Sequence, residues 1–457
     1  MTIEKQTHQH PLQKSAPVDT PASVEIYRPF FLAGILTVLT AGCTLGAIAL
    51  AGLCLRGNYV TTAWTPYVLA HANSQLYGWV GFFIMGFALQ MHPPKASAIK
   101  LFRILSVLSL TFMAVGISLR FIADPLASAN GSYWTTIGVL SAVCQTVSVG
   151  LFMVNNTVTR YASGEKLSWQ TKFVFASLAW MALIAIAEPY VFWMAHQAPE
   201  TSILFVAEWF SPLREAQFLG FVANMIFGVA LVKLHTCFGA QEANRELGNA
   251  AFLGWNFGVV LRMVGWVTYF RAGMSEDAIR FYVTSGTILA ISATCFVLSS
   301  RMFETTSIRV PSHKFIRTSF VWLLISGALM ILEPVHLRQT SLPFSHAYIG
   351  GIRHALTVGF ISQMIIGISS HVVAKMNDIP DSLQKSFLLT FWLLNIGNAG
   401  RVFLEIATDY TPRAFGPMGF TGFIELTGLV LWGAAMVRIM LVGRAASIRH
   451  QNRLQVA

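Results

Sequence analysis

Three stretches of this chain share one spacing of glycines: HANSQLYGWVGFFIMGFALQ (71–90), LREAQFLGFVANMIFGVALV (213–232) and IRHALTVGFISQMIIGISSH (352–371). Each has a glycine eight positions after its first glycine, a third glycine 38 positions after the first, and an arginine four positions later. The matching residues are Gly78, Gly86, Gly116 and Arg120, then Gly220, Gly228, Gly258 and Arg262, then Gly359, Gly367, Gly397 and Arg401. A four-point spacing kept three times indicates an internal repeat.

The chain around these copies is strongly apolar. Hydrophobic residues are 54% and charged residues 11% of its 457 residues, which is too little charge for a water-soluble surface. Segments long enough to cross about 30 Å of hydrocarbon lie at residues 30–54, 67–91, 101–122, 134–156, 172–195, 212–234, 250–270, 281–300, 316–336, 348–373, 387–407 and 419–440. The sequence therefore predicts an all-α, polytopic membrane protein of 12 transmembrane helices.

The repeat predicts how these helices are grouped. We expect one membrane domain over residues 28–443, with three pseudo-symmetric four-helix units near 28–160, 170–302 and 315–443. Residues 1–27 are polar and lack the apolar core of a signal peptide, which predicts a disordered cytoplasmic tail. Residues 444–457 are predicted to form a short cytoplasmic tail at the other end. Secondary transporters usually show twofold repeats, so the threefold pattern disfavours that class without excluding it.

The basic residues predict the orientation of the chain. Of 31 lysines and arginines, 21 lie in the N-terminal tail, the predicted inner loops and the C-terminal end. Positive charge marks the cytoplasmic side, so both ends are predicted in the cytoplasm, at a bacterial inner membrane. The net charge of +11 therefore indicates a lipid bilayer as partner rather than nucleic acid. The five cysteines form no Cys-x-x-Cys pair and are predicted to pack.

Polar residues gather at one predicted depth, in the outer half of the membrane. Charge within a bilayer is costly, so such a layer favours a functional site. Its cofactor candidates are His71, His354, Arg120, Arg214, Arg262, Arg353 and Arg401, with His346 as a further metal ligand. Its supporting residues are Asn73, Gln75, Glu215, Gln217, Glu188, Glu333 and His336.

Two interpretations of this layer remain open. Imidazoles from facing helices can hold a haem iron between them, and arginines can neutralise its propionates. Alternatively, His71 and His354 only bond neighbouring helices, and the arginines form salt bridges with Glu215, Glu188 and Glu333. His346 either binds a second metal near the outer surface or lies in a loop.

Three segments of the sequence resemble those of a known family. The segments RPFFLAG (28–34), HANSQLYGWVGFFIMGFALQMHP (71–93) and RHALTVGFISQMIIGISS (353–370) resemble the NnrS family of membrane proteins, which is linked to nitric oxide metabolism and denitrification. The resemblance implies a haem- and copper-containing protein that protects bacteria against nitrosative stress. It assigns the family's two ligand histidines to His71 and His354. Many members carry another histidine where this chain has Asn73, so a ligand role at that position is in doubt.

The predicted plan also looks like the haem-copper oxidase catalytic subunit, in which helices 2 and 10 bind haem and helices 6 and 7 bind copper. Helix 6 here offers Arg214, Glu215 and Gln217, and helix 7 has no histidine. Copper bound in that manner is therefore not expected.

The leading expectation is a b-type haem in a protein that acts on, or responds to, nitric oxide. No catalytic residue is assigned. An enzyme would be an oxidoreductase fed by a quinol or a separate electron donor, because the chain has no Cys-x-x-Cys-His motif. The alternatives are a secondary transporter of an anion or metal and a haem or copper assembly factor for a denitrification enzyme.

Overall fold

The computed structural model describes residues 25–59, 63–163, 167–275 and 277–456, and the described residues form helices and connecting turns without a strand. Most of the predicted N-terminal tail, residues 1–24, lies outside them. Consecutive helical segments join into long rods: α1 (Tyr27–Arg56), α2 (65–91), α3 (Ile99–Asn130), α4 (Ser132–Ser163), α5 (Thr171–Ala195), α6 (199–238), α7 (Arg245–Arg271), α8 (Ile279–Ser300), α9 (His313–Thr340), α10 (His346–Met376), α11 (Leu388–Ala407) and α12 (Phe415–Val456).

Within the described ranges, 10 of the rods are long and apolar enough to cross a membrane, namely α1, α3 to α10, and α12. The other two, α2 and α11, contain several polar residues, which lower their hydropathy. Large apolar side chains such as Phe403, Phe420 and Leu253 are exposed on the outside of the bundle, where lipid would surround them. The chain is therefore an all-α, multi-pass membrane protein.

The rods form a closed arrangement. Each pair of successive rods α3 and α4, α7 and α8, and α11 and α12 packs together, and α4 then packs on α5, α8 on α9, and α12 on α1. The apolar stretches of α6 and α10 are more buried than those of the other candidate spans, at 67% each. These two inner rods contact each other directly. Polar groups on α6 and α10 thus lie near the centre of the bundle.

Each of α2, α6 and α10 contains an eight-residue π-helical segment: Ser74–Gly81, Ala216–Ala223 and Ala355–Ser362. All three segments begin four residues before the first repeat glycine. A fourth π segment, Val38–Gly42, interrupts α1. Wider π turns redirect the chain and are frequent at functional sites.

The repeat glycines lie where rods approach most closely. A Cβ placed at Gly78 would lie 2.2 Å from Thr37, and one at Gly220 or Gly359 would lie 2.7 or 2.4 Å from a tryptophan ring on α5 or α9. Glycine is therefore required for these rods to pack at the observed distance. The third glycines, Gly116, Gly258 and Gly397, likewise place α3, α7 and α11 against α4, α8 and α12.

Candidate functional site

Two of the predicted arginines lie in buried clusters that join different rods. Arg120 on α3 lies 3.0 Å from Asp124 and 3.5 Å from Glu188 on α5. Arg262 on α7 lies 3.5 Å from Glu215 on α6 and 3.3 Å from Glu333 on α9, and it donates a 2.7 Å hydrogen bond to the Tyr282 hydroxyl. These contacts are salt bridges with the three predicted glutamates. Carboxylates therefore neutralise both guanidinium groups inside the bundle.

The third repeat arginine has a different environment. Arg401 on α11 pairs with Glu405 at 3.0 Å, one helical turn away. The rod that closes the bundle at this point, α1, has no acidic residue, whereas α5 and α9 supply Glu188 and Glu333. A further carboxyl group, Glu425 on α12, is buried close enough to interact electrostatically with Arg401, Glu405 and His354. We call Arg401, Glu405 and Glu425 the Arg401 cluster.

His71 on α2 faces α1 through a gap lined by glycine. Its Nδ1 donates a 2.8 Å hydrogen bond to the Gly42 carbonyl, at the end of the α1 π segment. A Cβ at Gly46 would lie 2.5 Å from Cε1 of His71, so only glycine leaves room for this ring. The side chain of Gln75 lies beside Gly42. The local break in α1 thus provides both the carbonyl and the space that fix the His71 ring.

His354 on α10 is held in a similar way. Its Nδ1 donates a 2.9 Å hydrogen bond to the Gly350 carbonyl and lies 3.3 Å from a Glu405 carboxylate oxygen. A Cβ at Gly350 would lie 2.2 Å from Glu405, so glycine allows this carboxylate to approach. The carbonyl therefore orients the imidazole of His354 through a hydrogen bond, and the nearby carboxylate acts on it electrostatically.

The structure brings the two predicted histidines together. His71 and His354 interact electrostatically, and Arg401 and Arg214 are further electrostatic neighbours of His71. Each Nδ1 is committed to a carbonyl, and neither Nε2 makes a hydrogen bond within the described part of the chain. An imidazole with its proton on Nδ1 presents the Nε2 lone pair to a metal. The pair can thus supply two neutral nitrogen ligands.

Other predicted residues surround this pair. Arg214 donates a 2.6 Å hydrogen bond to Gln217, which in turn donates to Glu188 at 2.7 Å. Asn73 exchanges hydrogen bonds of 2.8 and 3.2 Å with Gln145 on α4, and so it positions α2.

The remaining two histidines lie outside the pair. His346 is the first residue of α10, so the helix does begin that early, but its side chain is exposed. His336 bonds Asp409 at 2.7 Å and the Tyr410 hydroxyl at 3.2 Å, and these contacts fix the end of α9. Among the described residues, no group of three His, Cys, Asp or Glu side chains could hold a metal ion.

Sequence reasoning missed four acidic or phenolic members of the site: Asp124, Tyr282, Glu405 and Glu425. Two of them could have been predicted from the sequence. Asp124 and Glu405 each follow a repeat arginine by four residues, which is the spacing of a helical ion pair. Tyr282 and Glu425 come from neighbouring rods and had no local signal.

No protein-family model matches this chain, and no curated protein matches it significantly. Its function is therefore inferred from the geometry of the site.

Proposed function

We propose that this chain is a haem-binding membrane protein of the NnrS type that takes part in nitric oxide metabolism or in the response to nitrosative stress. The observation that carries the proposal is that His71 and His354 lie within electrostatic range of each other, each with Nδ1 bonded to a carbonyl and with no hydrogen bond from Nε2 to any described residue. A haem held by both histidines would supply a redox-active iron beside the inner rods.

The charged residues around the pair fit a haem. In the Arg401 cluster one guanidinium faces two buried carboxyl groups, Glu405 and Glu425. Around Arg120 the charges are equal, since Arg120 and Arg214 share Asp124 and Glu188. The carboxyl groups of the Arg401 cluster would stabilise the core of a ferric haem, whose iron and porphyrin ring sum to one positive charge, while the haem's own carboxylates would bind to arginines.

The architecture agrees with this proposal. We propose that α2 and α11 also cross the bilayer, which gives 12 spans in three four-helix units with both ends in the cytoplasm. The three π segments at one register and the matching glycine contacts support the repeat. The excess of basic residues in alternate connections supports the orientation. In this orientation the histidine pair lies in the outer half of the bilayer of a bacterial inner membrane.

The test is the absorption spectrum of the purified protein reduced with dithionite. We expect Soret and α bands, and we expect His71→Ala or His354→Ala to weaken them while the protein still elutes as a folded species. His196→Ala is the matched control, because the Nδ1 of this half-buried histidine also bonds a carbonyl, that of Phe192, at 2.8 Å.

Three outcomes would redirect the proposal. A folded protein without these bands excludes a haem centre, and a secondary transporter becomes the better assignment. A haem content below one per protein, with ready transfer of that haem to apomyoglobin, favours an assembly factor. Equal loss of the bands in His71→Ala, His354→Ala and His196→Ala would show that the effect is not specific to the pair.

A further inference from the structure

Arg214 and Arg353 occupy the same register on the two inner rods. Each lies six positions before the first repeat glycine of its copy, and Ala72 holds that position on α2. The two arginines interact electrostatically with each other. Like charges placed together inside a bundle repel, and the low dielectric makes that repulsion stronger than in water. Glu188 and Asp124 offset part of the charge of Arg214, but no carboxylate pairs with Arg353 in the described part of the chain, so a bound anion would remove the repulsion that remains.

These two arginines differ from the three repeat arginines in their partners. Arg120, Arg262 and Arg401 each have a carboxylate within 4 Å. The side chain of Arg214 bonds only the neutral amide of Gln217, and the side chain of Arg353 has neither a hydrogen bond nor an ion pair among the described residues. The Nε of Arg353 is buried without a partner. Charge-assisted donors are therefore left without an acceptor.

Arg214 and Arg353 are only partly buried. Ala72, Arg214 and Arg353 are each partly accessible, whereas the next residues on α2 and α6, Asn73 and Glu215, are buried. At the third equivalent position the short side chain of Ala72 contributes no guanidinium. Two side chains with planar, forked donor groups are thus not fully enclosed by the bundle.

We propose that Arg214 and Arg353 form an anion-binding site for a carboxylate or a small inorganic oxyanion. Guanidinium groups bind such ligands through paired, charge-assisted hydrogen bonds. The anion has two potential sources, either the carboxylates of a haem held by His71 and His354 or a free ion. Binding of haem carboxylates rests on the proposed function, whereas binding of a free ion does not.

The experiment measures nitrite binding to the purified, haem-loaded protein by calorimetry, and haem retention by transfer to apomyoglobin. Arg214→Gln and Arg353→Gln are compared with Arg271→Gln, which removes an arginine that is 65% exposed and pairs with Glu208 at 2.5 Å. We expect loss of a charged donor to weaken the ligand about tenfold or more. The control Arg271→Gln should change neither the nitrite affinity nor the haem retention.

The two sources give different results. Weaker nitrite binding with unchanged haem retention assigns the site to a free anion. Absence of nitrite binding to the loaded protein, with faster haem loss in both variants, assigns it to haem carboxylates. If neither quantity changes in Arg214→Gln or Arg353→Gln, the inference is wrong. If the protein holds no haem but binds nitrite through these arginines, the proposed function fails while this site stands.

A second measurement needs no variant and applies if the glutamine variants fail to fold. Phenylglyoxal modifies arginines that lack an ion pair, and mass spectrometry identifies the modified residues. We expect Arg214 and Arg353 of the wild-type protein to react slowly when the site is filled by nitrite or haem, and at least fivefold faster when it is emptied. Equal reaction rates in both states would overturn the inference.

Discussion

The carboxylate of Glu405 lies 3.3 Å from Nδ1 of His354. It also pairs with Arg401 at 3.0 Å, so its position is fixed from two sides. A carboxylate on the second nitrogen makes an imidazole a stronger donor to a metal, and the higher oxidation state gains most from this. Glu405 is therefore a positioning residue for the proposed ligand.

We expect Glu405→Gln to raise the midpoint potential of the proposed haem by about 60–120 mV, the equivalent of a 10–100-fold change in relative affinity. A spectroscopic redox titration measures the shift. Asp124→Asn is the matched control, because Asp124 has the same helical relation to Arg120 but contacts neither histidine of the pair. Equal shifts in the two variants would remove the special role of Glu405.

The space at Gly46 gives a second prediction. Adding a methyl group in Gly46→Ala places a carbon 2.5 Å from the His71 ring, which has to move away from the Gly42 carbonyl. We expect haem content to fall severalfold, as judged by Soret absorbance per protein. Gly150→Ala is the control, since a Cβ at Gly150 meets nothing within 4 Å. Full haem content in Gly46→Ala would show that the gap is not needed.

Helix packing gives a third prediction. Gly220→Ala and Gly359→Ala force a methyl group against the Trp180 and Trp322 rings, at 2.7 and 2.4 Å. Overpacking of this kind costs about 1–3 kcal/mol. We expect a lower thermal unfolding temperature for both variants in detergent and no decrease for Gly150→Ala. Unchanged unfolding temperatures would contradict the close approach of these rods.

The buried charge network gives a fourth prediction. Arg262→Gln leaves Glu215 and Glu333 without their shared partner, and breaking a buried ion pair costs about 3–5 kcal/mol. We expect a marked loss of thermal stability. Arg280→Gln removes an exposed pair with Asp277 and should have little effect. Similar losses in the two variants would mean that burial does not decide the cost.

The number of spans can be tested by labelling. The variants Lys95→Cys and Ser275→Cys are made in a protein without its native cysteines. If the N-terminus is cytoplasmic and α2 crosses the membrane, position 95 lies on the cytoplasmic side and position 275 on the outer side. Without α2 the two positions exchange sides. We expect a membrane-impermeant maleimide to label Ser275→Cys in intact cells and Lys95→Cys only after lysis. The reverse pattern would exclude α2 as a span.

Much of the fold could be predicted from hydropathy and glycine spacing, because both are local properties of the chain. Eleven of the 12 predicted spans fall within an observed rod, and the span predicted at 387–407 begins one residue before α11. The π segments could not be predicted, since no residue type marks a wider turn. The helical continuation of α12 to Val456, through the residues predicted as the C-terminal tail, was also not indicated by the apolar pattern.

The site could be predicted in part. Ionisable residues in apolar spans identified His71, His354 and the arginines, because charge there is costly. Their partners depend on which rods are neighbours. The pairing of Arg262 with both Glu215 and Glu333 became visible only once the rods were placed, whereas the lack of an acidic residue in α1 can be read from the sequence.

The π segments change the phase of the inner rods. One extra residue in a helical turn rotates the helix on one side of that turn by about 100° relative to the helix on the other side. In α2 the segment Ser74–Gly81 separates His71 from Gly86, so a helical wheel drawn through the whole rod is out of phase at one end. Deleting one residue from this segment would keep the rod and its hydropathy, yet turn the His71 ring away from the Gly42 carbonyl. The orientation of the histidine is thus encoded in the length of a neighbouring turn as well as in its own position.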